Sequence, residues 1–494
     1  MNAYLMYIAI FLPMLAGFLI LLLPEGSRKA YLYVSEVVTL LTAVLVWALI
    51  INPPSESVVL FEFVRKYTIS FKIDGLSRVF AGLISTLWPL AVLYSFEYME
   101  KEGNKNTLKE RTFFGMYVVT YGVTLAIAFS DNLLSMYCFY EMLTLVTIPL
   151  VLFYLNDESI RATRTYVVYS LGGAAFAFIS LIFLMYYGNS LTFTLGGVLT
   201  GDNLNGRDNI LRLVYVLSFF GFGVKAAVFP VCSWLPKAGV APTPVTALLH
   251  AVAVVKSGAF AIARLTYYSY GVDFLRGTWA QNVLLIVTSF TIVYGCSMAV
   301  KERHLKRRLA YSTVSNLSYI LFGFALMSAD GLAGGLTHMV FHGVMKIAAF
   351  FCVGVVIVKA EKSYVYELEG MGKRMPKVFA VLTVASLSLM GVPGLCGFVS
   401  KWMLAKASVN AHTPLAYVGL GALLVSALLT AIYMLQILLR AYYPVENAEA
   451  SLEKCDPSWR MMVPLIIFAL LMVFFGLYFE PLTDFIENVA GGLV

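Results

Sequence analysis

Eight ionisable side chains interrupt apolar stretches of this 494-residue chain: Glu141, Lys225, His250, Lys256, His338, His342, Lys346 and Lys401. A charge at the centre of a bilayer costs at least ~2.5 kcal/mol on insertion scales, so such groups persist where they meet water, a counter-charge or one another. Glu141 stands between Tyr140 and Met142 in an otherwise uncharged span, too far from either end to snorkel, and requires a cation or water inside a bundle. Lys225 precedes Phe229-Pro230 and Ser233-Trp234-Leu235-Pro236, where two prolines must interrupt the helical ladder at membrane depth. Burial favours the neutral form of a lysine and a nearby carboxylate favours the charged form, so moving the carboxylate can release a proton. An ion pair that only ties helices together is the plainer reading of the same two residues.

His250 and Lys256 are expected on one helix, six residues and about 9 Å apart along its axis, as successive stations of a relay. His338, His342 and Lys346 recur at every fourth residue, which puts them on one stripe of a helix with about 6 Å between neighbours. A pair of histidines at that spacing can also ligate zinc. Here the Glu of a His-Glu-x-x-His site is missing and a lysine completes the stripe, so a proton wire is preferred and no metal is expected. Lys401 follows Gly391-Val392-Pro393-Gly394 and Gly397, a second Pro/Gly interruption with a lysine beside it.

The elements that must position these residues are transmembrane helices. The chain is 60% hydrophobic and only 13% charged, and apolar runs of about 18 to 25 residues recur from end to end. The spans are expected near 3-23, 31-51, 74-97, 112-130, 132-154, 162-187, 209-229, 242-270, 281-300, 305-328, 331-357, 376-400, 414-440 and 461-479. The fold class is therefore an all-α polytopic membrane protein of about 14 helices. The first run lacks a basic n-region and a small-residue cleavage site and is read as a retained helix rather than a signal peptide. Two interrupted helices, 7 and 12, each with a lysine and five spans apart, suggest two inverted five-helix repeats. This divides the chain into 1-111 (helices 1-3), 112-270 (first repeat, helices 4-8), 281-443 (second repeat, helices 9-13) and 444-494 (helix 14).

The net charge of +7 would suggest nucleic acid in a soluble protein, but the basic residues crowd into alternate short loops and no nucleic-acid partner is expected. About 21 Lys and Arg fall in odd-numbered connections against about 6 in even ones, which predicts an inner-membrane protein with both termini on the outer side. The main contributors are Lys101, Lys105, Lys109 and Arg111; Lys301, Arg303, Lys306, Arg307 and Arg308; and Lys359, Lys362, Lys373, Arg374 and Lys377. All are read as orientation signals. The six cysteines are scattered without a Cys-x-x-Cys pair, so neither a disulfide framework nor an iron-sulfur ligand set is suggested and no cofactor is expected in this chain.

Four segments carry a resemblance to a known family: FPVCSWLPKAGVAPTPVTALLHAVAVVKSG from Phe229, KRRLAYSTVSNLSYI from Lys306, THMVFHGVMKIAAFF from Thr337 and GVPGLCGFVSKW from Gly391. The chain resembles the large antiporter-like subunits shared by Mrp-type cation/proton antiporters, respiratory complex I and energy-converting membrane-bound hydrogenases. The resemblance implies that Glu141 and Lys225 are the paired charge of a first half-channel, Lys256 the central relay lysine and Lys401 the end of the second half-channel. It also implies that His338, His342 and Lys346 join the central axis, with His250 beside it. It further implies a non-redox, ion-translocating role beside other membrane subunits, such as a second antiporter-like subunit or small Mrp-type subunits, with H⁺ as the ion and Na⁺ left open. Lys237 departs from the family, which commonly has an acidic residue after Trp-Leu-Pro. The short segment after helix 14, without a long lateral helix, resembles the shorter members, including the D subunit of Mrp antiporters. Lys401 stands where some complex I members carry Glu.

Two other classes compete. An independent secondary transporter of a small solute would show a midplane pocket of mixed polarity, whereas here lysines and histidines spread over many helices. A structural membrane subunit that kept the fold would lose no ion pumping when Lys225 or Glu141 is neutralised.

Overall fold

A bilayer offers backbone amides no partner beyond the chain itself, so apolar runs of this length fold as helices. The computed structural model describes residues 2–24, 27–64, 67–102, 107–199, 204, 206–444 and 454–493. Lys105, one of the residues expected to set orientation, lies outside them. The first part of the chain forms α1 (Leu5–Leu22), α2 (Arg28–Ile51), the hairpin β1 (Val58–Val64) and β2 (Tyr67–Phe71), α3 (Gly75–Glu102), α4 (Thr107–Phe129), α5 (Leu133–Val151) and α6 (Asp157–Tyr187). The middle forms α7 (Asp208–Gly223), α8 (Trp234–Ala238), α9 (Thr243–Ala251), α10 (Val254–Arg264), a π-helical turn at Leu265–Tyr270, and α11 (Val272–Leu275). Then follow α12 (Trp279–Lys301), α13 (Leu305–Ala325), α14 (Ala329–Ala360), α15 (Met371–Arg374), α16 (Pro376–Met390), α17 (Cys396–Asn410), α18 (Pro414–Tyr442), α19 (Trp459–Leu477) and α20 (Glu480–Gly491).

Among the described residues eleven helical spans are long and apolar enough to cross a membrane. The expected spans at 209-229, 305-328 and 376-400 fall outside that set for two reasons. Helices α7 and α16 have only 16 and 15 residues. Helix α13 has 21, but buries Ser312, Thr313, Ser315, Asn316 and Ser318 along its length. These are the helices beside the candidate residues. Burial separates inner from outer elements: the span Thr243–Tyr270 is wholly enclosed and the apolar window of α14 is 89% buried, against 39% for α6 and 33% for α19. The lipid-facing helices thus surround a centre built from α9, α10 and α14.

The antiparallel hairpin β1–β2 is held over the α4–α5 connection. Lys72 N donates to Phe129 O at 2.7 Å. Asn132 Nδ2 donates to Thr68 O at 2.9 Å and to Ser70 Oγ at 2.8 Å. The same Asn132 caps α5 by accepting from Ser135 N at 2.7 Å, which satisfies one of the orphan amides of the helix start.

One expectation is corrected here: His250 and Lys256 do not share a continuous helix. Helix α9 ends at Ala251 and α10 begins at Val254. Val252 and Ala253 leave helical geometry, and the Leu248 carbonyl accepts from both their amides, at 3.2 and 2.9 Å. The break turns the two side chains toward different neighbours.

Candidate functional site

The site is built outward from three places where a helix stops. Helix α7 ends at Gly223, and the chain then turns through Lys225 with Ala227 in the left-handed region at φ 53°. Trp234 Nε1 donates to Val224 O at 2.7 Å and so satisfies a carbonyl exposed by the helix end. Gly258 of α10 lies against this turn: a Cβ there would sit 2.5 Å from Ala226 N and 3.0 Å from the Lys225 carbonyl carbon. Only glycine allows α10 to approach so closely.

Within that turn the buried Lys225 ammonium donates to the Tyr140 carbonyl and stands 3.4 Å from the centre of the Tyr140 ring. Its distance to Glu141 Oε1 is 3.9 Å, beyond hydrogen-bonding range, and that oxygen is buried without a hydrogen-bond partner. The pair is an ion pair without a hydrogen bond, the cation being held chiefly by α5 backbone and ring. Glu141 keeps 23% of its side chain exposed on the isolated chain.

The second place is the α9–α10 break, where Lys256 Nζ lies 2.6 Å from His342 Nδ1 of α14, both residues fully buried. One of the two must donate and the other accept, so a charged Lys256 requires His342 to carry its proton on Nε2. His342 Nε2 is buried without a hydrogen-bond partner among the described residues. One turn away along α14, the His338 ring stacks on His342 with centroids 5.8 Å apart. His338 Nε2 lies 3.2 Å from Asn316 Oδ1 and its Nδ1 2.9 Å from Ser400 Oγ, which assigns the Nε2 proton.

The third place is the end of α16. Gly391, at φ 92°, terminates that helix and leaves the Leu389 and Met390 carbonyls to Lys401 Nζ at 2.6 and 3.1 Å. A cation at a helix C-terminus is favoured by both the orphan carbonyls and the helix dipole. Tyr319 stands between Lys401 and the histidines, its ring 5.6 Å from Lys401 Nζ and 5.1 Å from the His338 ring. Lys401 itself is half-buried rather than enclosed.

Two of the eight turn elsewhere. Lys346 donates to Leu309 O at 3.1 Å and Ser312 Oγ at 2.7 Å, and Ser312 meets Tyr433 OH at 2.5 Å. His250 packs on Phe350 with centroids 4.9 Å apart, and neither ring nitrogen meets a hydrogen-bond partner among the described residues. The structure thus gathers Glu141 with Lys225, and Lys256, His342, His338 and Lys401 in a row. Lys237 is exposed on α8, beside a surface depression with Glu158, Arg161 and Arg307. Among the described residues no group of three or more His, Cys, Asp or Glu could hold a metal ion, and all six cysteines are free thiols.

Several residues of the neighbourhood carried no sequence signal. Asn316, Tyr319, Ser312 and Tyr433 are uncharged and ordinary in membrane helices. Lys306 and Arg308, read as loop charges, fold inward instead: Lys306 Nζ donates to Ala241 O at 2.8 Å, and Arg308 Nη1 to Tyr433 O at 3.0 Å and Gln436 Oε1 at 2.8 Å. Arg264 ends α10 fully buried, paired with Asp74 before α3, with Nη2 at 2.8 Å from Asp74 Oδ1 and 2.9 Å from Ser77 Oγ. A charge near the end of the span 242-270 was the available clue.

Comparison with known proteins agrees with this architecture. Residues 130–430 match the family model described as NADH:quinone oxidoreductase/Mrp antiporter, TM. The chain is similar to NAD(P)H-quinone oxidoreductase chain 4 1 of Thermosynechococcus vestitus, 27% identical over 431 residues that cover 85% of this chain and 78% of that one. Among solved structures, a chain of the archaeal membrane-bound sulfane sulfur reductase superposes with a TM-score of 0.85 at 20% identity, covering 99% of this chain and 97% of that one. A chain of the Mrp complex from Dietzia sp. gives 0.84 at 20% identity, with the same coverage. At such identity these structures speak to the fold. The family match spans well over half the sequence, and the chain belongs to the NADH:quinone oxidoreductase/Mrp antiporter transmembrane family.

Proposed function

We propose that this chain moves protons across an energy-transducing membrane as an antiporter-like subunit of a larger complex, along Glu141, Lys225, Lys256, His342, His338 and Lys401. The observation that carries the reading is the 2.6 Å contact between Lys256 and His342 inside the fully buried α9–α10–α14 centre. A lysine and a histidine in contact, with no carboxylate between them, can share one proton but not hold two without strong repulsion. A proton arriving at Lys256 therefore favours transfer onward, and His338 with Tyr319 extends the row to Lys401. At the other end, the Glu141–Lys225 pair lacks a hydrogen bond and is readily separated, so a displacement of Glu141 by a neighbouring subunit would free a proton from Lys225. Lys346 and His250 support the row from its flanks.

In this reading α7, α13, and α16 joined to α17, complete fourteen crossings. Residues 112-270 and 281-443 form the inverted repeats, with 1-111 and 444-494 at the ends, and helices 7 and 12 carry the Pro/Gly interruptions, in addition to the break between α9 and α10 in the eighth span. Both termini face outward in an inner membrane. The partners are membrane subunits; redox groups belong to them. Whether Na⁺ accompanies H⁺ depends on those partners.

The test is proton flux into proteoliposomes containing the assembled complex and a pH-sensitive dye. Lys225→Ala and Lys401→Ala should each lower translocation at least ~10-fold while membrane insertion and assembly persist, a typical effect of removing one proton-transfer group. Undiminished pumping in both variants would exclude the relay and favour a structural subunit.

A further inference from the structure

The row of titratable groups lies on one side of α14; its other side borders a cleft that the relay does not use. The cleft, of about 570 Å³, opens between α2, α3, α19 and α20, and lies within the ~300–1,000 Å³ range of small-molecule sites. Its floor is formed by buried Leu87 and by Val340 and Val344 of α14. Its mouth is ringed by Trp47, Ile51, Phe474 and Tyr478, all more than 40% exposed. Arg78, in the first turn of α3, is the one charged side chain on its wall among the described residues. The guanidinium carbon lies 4.6 Å from the centre of the Phe485 ring, and Nε is buried without an acceptor among the described residues.

From this arrangement we infer that the cleft binds one anionic phospholipid, with the phosphate on Arg78 and an acyl chain against the back of α14. Three features select that occupant over an apolar helix of a partner. An unpaired guanidinium N–H in an apolar wall calls for an anionic acceptor, and the planar fork of Arg matches a phosphate. Helix α20 is amphipathic, burying Thr483, Ile486 and Ala490 while the acidic Asp484 and Glu487 are turned to the exposed side, away from the cleft, which marks the water-facing end of the bundle above the apolar floor. Trp47 and Tyr478 at the mouth are the residue types that mark that same depth. The arrangement therefore puts the single charge at headgroup level and the apolar floor beneath it. A lipid seated here would brace α14 from behind, on the helix that carries His338, His342 and Lys346.

The test uses the assembled complex in nanodiscs of phosphatidylcholine containing phosphatidylglycerol with a diazirine on one acyl chain, followed by irradiation and peptide mapping. Label should concentrate on the cleft-facing peptides of α3, α14 and α19. Arg78→Gln should reduce it roughly tenfold, the effect of losing one charge-assisted hydrogen bond. Gly82→Leu should also reduce it by filling the cleft, since the nearest atoms to a Cβ at Gly82, of Ile50 and Trp47, lie at 3.5–3.8 Å, ordinary contact distance, and Gly82 lines the open space that the rest of the side chain would enter. Diazirine-labelled phosphatidylcholine, whose choline ammonium offsets the phosphate charge beside Arg78, should mark the wild-type cleft several-fold less, a comparison that holds even if a variant fails to fold. Equal labelling by the two lipids overturns the proposal, as does equal labelling of wild type and Arg78→Gln. Cross-linking of a neighbouring subunit's helix in place of lipid does so too. None of these readouts depends on proton pumping.

Discussion

Lys256 and His342 define what a single residue contributes. A buried lysine whose short contact is a ring nitrogen has a proton acceptor one hydrogen bond away, whereas His250, also buried, has only the Phe350 ring. Their replacement by phenylalanine should separate these roles. His342→Phe removes the partner of Lys256 and should lower stability by about 1–3 kcal/mol, read as an earlier thermal unfolding in detergent, and abolish pumping. His250→Phe keeps an aromatic ring against Phe350 and breaks no hydrogen bond among the described residues, so it should cost less stability than His342→Phe. Equal destabilisation by both would contradict the hydrogen-bond assignment. All eight candidates were visible as residues because each charge or imidazole stands out in an apolar run. The contacts of Lys346 with Ser312, and of His338 with Asn316, were not, because hydroxyls and amides are common in such runs and nothing in their spacing marks the pairs.

Elements end beside the lysines of the site. The Pro/Gly segments around Pro230 and Gly391 announce two of these ends; Lys401 takes up the carbonyls that α16 leaves, whereas Lys225 reaches across to a carbonyl within α5. Gly391→Ala should cost about 1–2 kcal/mol from the left-handed backbone alone. It should also push on Lys401, whose Cδ lies 3.0 Å from where the new Cβ would stand. Both the unfolding temperature and the proton flux should fall, and a variant neutral in both would refute this role for the glycine. The α9–α10 break is different in kind. Val252 and Ala253 include no proline or glycine, so local preference offers no reason to interrupt the helix there. The interruption instead accompanies close packing: a Cβ on Gly343 of α14 would lie 3.3 Å from the Ala251 carbonyl oxygen at the end of α9. A pattern read along one helix cannot report a neighbour arriving from 90 residues away.

Across the whole molecule, partly buried ion pairs tie distant segments together. Arg264 joins α10 to the start of α3, and Lys359 of α14 meets Glu97 of α3 at 2.5 Å, with Ser458 N donating to Glu97 at 3.2 Å. Asp74→Asn should cost about 1–3 kcal/mol, because it removes the charge-assisted partner of the fully buried Arg264 guanidinium while Asp74 itself is partly exposed. Its expected readout is a lower unfolding midpoint and poor assembly; the paired change Asp74→Leu with Arg264→Met should recover much of the loss. The predicted orientation is checked with a cysteine at Arg303: a membrane-impermeant thiol reagent should reach it only from the cytoplasmic side, and labelling from outside would invert the topology. Composition and apolar run length by themselves determined a helical membrane protein, the approximate position of its spans and the identity of its candidate charges. Lipid imposes a single rule on every segment, and that rule can be read locally. Which charges meet, which histidine is left against a ring and where an unbroken apolar run stops were decided only by the tertiary structure. Those outcomes depend on side-chain geometry between helices far apart in the chain.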